Sequence, residues 1–153
     1  MDNDKVIGVL NDLIEIAKDG QEGFRQAAEK VKNIELRNYF LSQSQQRARM
    51  AGELQDEVQL LGGDPDRQGS VRGALHRTWI DLKDAVGLDS DHAILSSVES
   101  GEDAAVKGYE SALRDPLPPK IAQIVERQYI NIKATHDQVR ALRDSTQYQT
   151  RTA

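Results

Sequence analysis

The chain reads as an all-α protein, a bundle of four long helices with a fifth, shorter helical stretch inserted between the second and third. Three observations predict it. No segment alternates apolar and polar residues at period two, as a half-buried strand would. Four segments of similar length instead repeat apolar residues at intervals of three and four, the period of an amphipathic helix, and Gly, Asp and Pro cluster between them. Finally, 153 residues without cysteine suffice for one domain with a core that requires neither disulfide nor structural metal.

The first helix is expected over 3–31, with Val6, Leu10, Leu13, Ala17, Gln21, Phe24, Ala28 and Val31 on its buried stripe. The second is expected over 33–61 through Leu36, Phe40, Gln43, Arg47, Met50, Leu54, Val58 and Leu61. Gly62-Gly63 supplies its stop before Asp64-Pro65. So short a link makes the first two helices an antiparallel hairpin. Ser70 can cap the shorter stretch, which carries Val71, Leu75, Trp79 and Leu82 and ends near Gly87. The third long helix follows an Asp89-Ser90 cap, places Leu95, Val98, Glu102, Ala105, Tyr109 and Ala112 or Leu113 inward, and stops before Pro116. The fourth opens on the prolines of LPP and runs through Ile121, Val125, Gln128, Ile132, Thr135 or His136, Val139 and Leu142. About 17 residues of helix rise about 25 Å, the length of a small bundle. The insert therefore favours a long crossover, the ferritin-like topology, over plain up-down-up-down. Residues 1–144 form the single domain, and 145–153, without pattern, form a disordered tail.

Composition narrows the function. A formal charge of −5, a pI near 5.2 and no basic block argue against nucleic acid. An acidic N-terminus and no apolar run long enough to span a bilayer argue against secretion and membrane insertion. With no cysteine the chain is expected in the cytoplasm, and thiol chemistry is excluded. No strand precedes a glycine-rich phosphate loop, and three scattered histidines make no hydrolytic triad.

The informative residues lie mid-stripe, where apolar side chains give way to polar or small ones: Gly20 and Gln21, Gln43 and Arg47, Glu102, and Gln128 to His136. Unpartnered charges at core positions cost several kcal/mol, so these residues must be paired, hydrated or metal-bound. A di-metal carboxylate bundle takes one Glu from each of two helices and Glu-x-x-His from each of the other two. Here Glu102 and Glu99 suit the third helix and Asp19 or Glu22 the first. The second helix, however, offers Gln43-x-x-Gln46 or Gln46-x-x-Arg49, and the fourth has Lys133 in place of Glu before His136. A charged lysine has no lone pair for a metal. The expectation is therefore an ion-pair network of Asp19, Gln43, Gln46, Arg47, Glu102, Lys133 and His136, in which Arg47 and Lys133 pair with Glu102 and Asp19. The metal alternative places Fe, Mn or Zn on Glu22, Glu99, Glu102 and His136, with water at the missing positions. Asp137 is expected on another face, unable to orient His136. His76 and His92 read as structural, and Tyr109 and Tyr129 as core-edge residues rather than redox groups. Gly20 and Gly23 call for close helix approach or for a small pocket, the latter leaving open a carrier of a small apolar ligand. Ile7, Ile14 and Ile94, beside the stripes, widen them or form a homodimer surface.

The segments GSVRGALHRTWIDLK, ESGEDAAVKGYESAL and ERQYINIKATHDQVRALRD, in that order after a helical hairpin, resemble a bacterial ferritin-like family of four-helix-bundle proteins with a domain of unknown function. The likeness covers the chain to about residue 144. It implies a ferritin-like fold, a cytoplasmic location and a link to stress, and it implies no reaction. Gln43, Gln46 and Lys133 depart from the wider di-iron ligand pattern, so no catalytic residue is assigned. The expectation is a bundle without catalysis, acting as a structural or interaction protein.

Overall fold

In the computed structural model, the structure describes residues 1–65, 79, 87–145 and 148. Four helices account for most of them: α1 (Asn3–Lys30), α2 (Ile34–Leu60), α3 (Asp91–Leu113) and α4 (Pro119–Asp144). Each start has a local cause. Asp2 accepts a hydrogen bond from the Lys5 N–H, Asn33 from Leu36 and Ser90 from Ala93, each satisfying a first-turn donor that would otherwise lack a partner. Pro119 occupies the first turn of α4, where its missing N–H costs nothing. Gly62 ends α2 in the left-handed region at φ +81°, and Gly63 N–H returns to the Val58 carbonyl.

Contacts between helices fix the topology. Three residues connect α1 to α2, making an antiparallel hairpin, and α3 and α4 pack as a second. Near the end of α1 the Asp91 carboxylate accepts from the Lys32 and Asn33 N–H groups at 2.8 and 3.0 Å, so α3 begins where α1 finishes. At the opposite end Gly63 packs on Ile7, and Asn11 Nδ2 donates to the Asp64 carbonyl. The end of α2 and the start of α3 thus lie at opposite ends of the bundle. This placement of the two helix ends is the one ferritin-like topology requires, and plain up-down-up-down does not have it. The helical stretch expected over 70–87 lies outside the described residues apart from Trp79 and Gly87, as does His76 and most of the expected tail.

The core divides into two apolar zones. One is built on Val6, Leu10, Leu13, Leu54, Val58, Val125 and Ile132, the other on Phe24, Phe40, Leu95, Val98 and Val139. Ile14 and Ile94 are each 1% exposed and belong to these zones, so of the two roles expected for them they widen the buried stripes and do not form a homodimer surface. Gln21, expected on the α1 stripe, is exposed, and Gly20 faces inward in its place.

Candidate functional site

Between the two apolar zones lies a polar layer centred on Arg47 and Glu102. The α2 guanidinium donates from Nη1 to Glu102 Oε1 at 2.6 Å and from Nη2 to Oε2 at 2.5 Å, a bidentate pair spanning α2 and α3. Both side chains are buried, 1% and 0% exposed. Arg47 also lies over the Phe24 ring at 5.2 Å, stacking its cation on an aromatic face. Gly20 makes the room: a Cβ there would stand 2.8 Å from Arg47 Nη1. The close approach expected of Gly20 thus accommodates a charged side chain.

Gly23 answers to Trp79. A Cβ at Gly23 would meet the indole at 2.2 Å, and one at Gly101 across the gap would meet it equally closely, so the ring sits in a slot between α1 and α3. Phe24 lines the slot, its ring centroid 5.5 Å from that of Trp79. Among the described residues, the space beside Gly20 is taken by Arg47 and that beside Gly23 by Trp79. The apolar space beside Gly108 holds about 10 Å³, room for a single water and not for a carried ligand.

A hydrogen-bond chain continues the layer towards one end. Tyr109 donates to Gln128 Oε1 at 2.7 Å, and Gln128 donates to the Met50 carbonyl and to Glu53. Burial pushes the Tyr109 hydroxyl well above the usual phenol range. Burial also works against ionising Glu53, but hydrogen bonds from Arg127 and Gln128 outweigh it and hold the carboxyl below its ordinary value. Gln43 accepts from Thr135 Oγ1 at 3.0 Å, and Gln46 is half-buried on an open groove with Arg49, Glu53 and Arg127. Asp19 is half-buried.

Three expected placements are corrected. Lys133 is not in the layer; its ammonium lies on the outer side of α4 and bonds Asp137 Oδ1 at 2.9 Å, one turn on. Glu22 is exposed and pairs with Arg25, a surface i,i+3 bridge. Glu102 has both oxygens committed to Arg47, so it does not share a ligand set with His136.

His136 is the buried imidazole, 3% exposed, on the α3-facing side of α4. Its Nε2 lies 3.4 Å from Glu99 Oε1 and 3.3 Å from Asp103 Oδ1 without a hydrogen bond to either, and Nδ1 lies 3.0 Å from Asp137 Oδ1. Asp137 does orient the ring, contrary to expectation: its Oδ1, bonded by Lys133 one turn earlier, also reaches Nδ1. Its carboxyl is held below the usual value first by the bond with His136 and then by that with Lys133. Among the described residues, Glu99, Asp103 and His136 are a carboxylate-imidazole group whose donor atoms lie within 4.8 Å of one another. Asp103 escapes a stripe drawn through Glu102, which it flanks by one position. The legible signal is Glu99-x-x-x-Asp103, two acids one turn apart on the flank of α3 that faces the fourth helix.

The family model for a domain of unknown function, DUF2383, matches residues 5–115. No curated protein matches the chain. Among solved structures, a Dps1 variant from Mycobacterium smegmatis is similar with a TM-score of 0.78 and 16% sequence identity, covering 93% of this chain and 97% of the other. At that identity the likeness speaks for the fold alone. It agrees with the crossover topology deduced from the helix ends. Among the described residues no helix is long and apolar enough to cross a membrane. With the family model spanning α1, α2 and α3, the chain belongs to the DUF2383 family, built on a ferritin-like four-helix bundle.

Proposed function

We propose that this protein is a ferritin-like bundle that works without a di-metal centre, as a structural or interaction protein whose mid-bundle charge is supplied by its own side chains. The observation that carries the reading is the bidentate Arg47–Glu102 pair. A di-metal bundle gathers inward carboxylates and imidazoles around two cations. Here a guanidinium takes the cationic role, binds both oxygens of the buried Glu102 carboxylate and is stacked on Phe24. A metal arriving at Glu102 would have to displace a buried cation that, among the described residues, has no other counterion in contact. The neighbouring polar positions are also committed within the protein, Gln128 to Tyr109, Met50 and Glu53, and Gln43 to Thr135. The link to stress implied by the family resemblance gives the setting in which a partner protein is to be sought.

The test is Fe(II) oxidation by the purified full chain under air, followed by oxygen consumption. The reading expects the rate of buffer alone. Saturable, protein-dependent oxidation that disappears in Glu102→Gln would overturn it.

A further inference from the structure

We propose that the flank between α3 and α4 is a binding site for one divalent first-row transition ion, of which zinc is the best fit, held by His136 Nε2, Glu99 Oε1 and Asp103 Oδ1. The site is separate from the Arg47–Glu102 pair and does not rest on the function proposed above. His136 Nε2 is a buried nitrogen with no hydrogen-bond partner, and it points into the gap between the two carboxylates. A buried polar atom left in that condition costs on the order of 1–3 kcal/mol, so it calls for an occupant. The spacing suits an ion. Two donors bound to a tetrahedral zinc at about 2.1 Å stand about 3.4 Å apart, and the imidazole nitrogen lies 3.3 and 3.4 Å from the two carboxylate oxygens.

The surroundings favour the same arrangement. Asp137 bonds Nδ1, which places the proton there and leaves the Nε2 lone pair for the metal, the usual outer partner of a ligating histidine. Lys133 holds Asp137 in turn. Each ligand carboxylate has its second oxygen held by a cation, Glu99 Oε2 by Arg143 at 3.1 Å and Asp103 Oδ2 by Lys107 at 3.4 Å, leaving the first oxygen turned towards His136. Two carboxylates balance a dication, and an imidazole selects against calcium and magnesium, which take oxygen ligands. The competitor is Arg140, whose Nε approaches Glu99 Oε1 at 3.8 Å. Its side chain is 56% exposed and can withdraw into solvent. A fourth position is left for water.

The experiment is calorimetric titration of the full chain with Zn²⁺, with Co²⁺ as an optical probe of coordination. Wild type is expected to bind one ion per chain and to give the visible d–d bands of a low-coordinate Co²⁺. Asp103→Asn alters a half-exposed side chain and should leave helicity unchanged while weakening binding about 10-fold or more. Asp137→Asn should weaken it 10- to 100-fold through the outer partner, and Glu22→Gln should match wild type. The proposal falls if no one-to-one binding is seen, or if Asp103→Asn and His136→Gln both bind as wild type does. It falls also if Glu22→Gln weakens binding as much as Asp103→Asn, since that is diffuse association with surface acids.

Discussion

Arg47 is a residue whose removal alone should cost far more than its replacement together with its partner. Taking away one member of a buried ion pair leaves the other charged in an apolar setting, at a cost of about 3–5 kcal/mol, whereas exchanging both for well-packed apolar residues is often neutral or stabilising. Arg47→Met and Glu102→Gln alone should therefore each destabilise by several kcal/mol. Arg47→Met with Glu102→Leu should recover most of the loss, read from urea unfolding midpoints; additive losses would rule out direct coupling. Tyr109 makes a second prediction through pH. Its hydroxyl titrates higher in the folded state than in the unfolded chain, so the folded state holds the proton more tightly. The stability this gives is complete below pH about 10, where the unfolded phenol begins to ionise, and is lost as pH rises towards the folded value. Tyr109→Phe should lose about 1 kcal/mol at neutral pH with its bond to Gln128 and should blunt the alkaline limb of the stability curve. An unchanged alkaline limb would show that Tyr109 is not the group responsible.

Helix by helix, the sequence and the structure agree to about a residue at the ends, because the signals there are chemical and local. Asp89-Ser90, Gly62-Gly63 and the paired prolines each act on the backbone of a single turn, and α1 and α2 end at Lys30 and Leu60 against expected limits of 31 and 61. Agreement is poorer across a helix, because a stripe read at fixed spacing drifts against the true rotation by a fraction of a residue per turn. That drift put Gln21 inside along with Gly20, and it drew Glu22 and Lys133 towards a layer from which both are turned out. It also hid Asp103, one position from the residue that the stripe did select. The Arg47–Glu102 meeting was legible because a charge at the centre of an apolar face demands a partner; which cation would reach which acid was not. Glycines give a test at this scale. Gly23→Ala and Gly101→Ala place a Cβ about 2.2 Å from the indole of Trp79, and each should cost about 1–3 kcal/mol by overpacking. Gly8→Ala and Gly52→Ala meet nothing within 4 Å inside their helices and should stabilise by about 0.5–1 kcal/mol. Thermal melts of the four variants would show two groups of opposite sign, and a common sign would refute the packing account.

For the molecule as a whole, the deciding constraint is that α2 finishes at one end of the bundle and α3 starts at the other. Two antiparallel hairpins that pack face to face in this way are joined by polar links across them, Asp91 to the end of α1, Arg47 to Glu102 and Gln128 to α2. A bundle tied across both hairpins should unfold in one step. Far-ultraviolet helicity and tryptophan emission are expected to give coincident urea transitions; emission that changes at lower urea than helicity would mean that the slot empties before the hairpins part. The slot has a use of its own. Trp79 is the sole tryptophan of the chain, and it is clasped by two backbones where even a methyl group has no place. Its fluorescence is consequently a built-in gauge, needing no attached dye, of whether the indole is seated between α1 and α3. Any partner or ion that loosens or tightens the gap between the first and third helices would announce itself as a shift in the colour of that one indole.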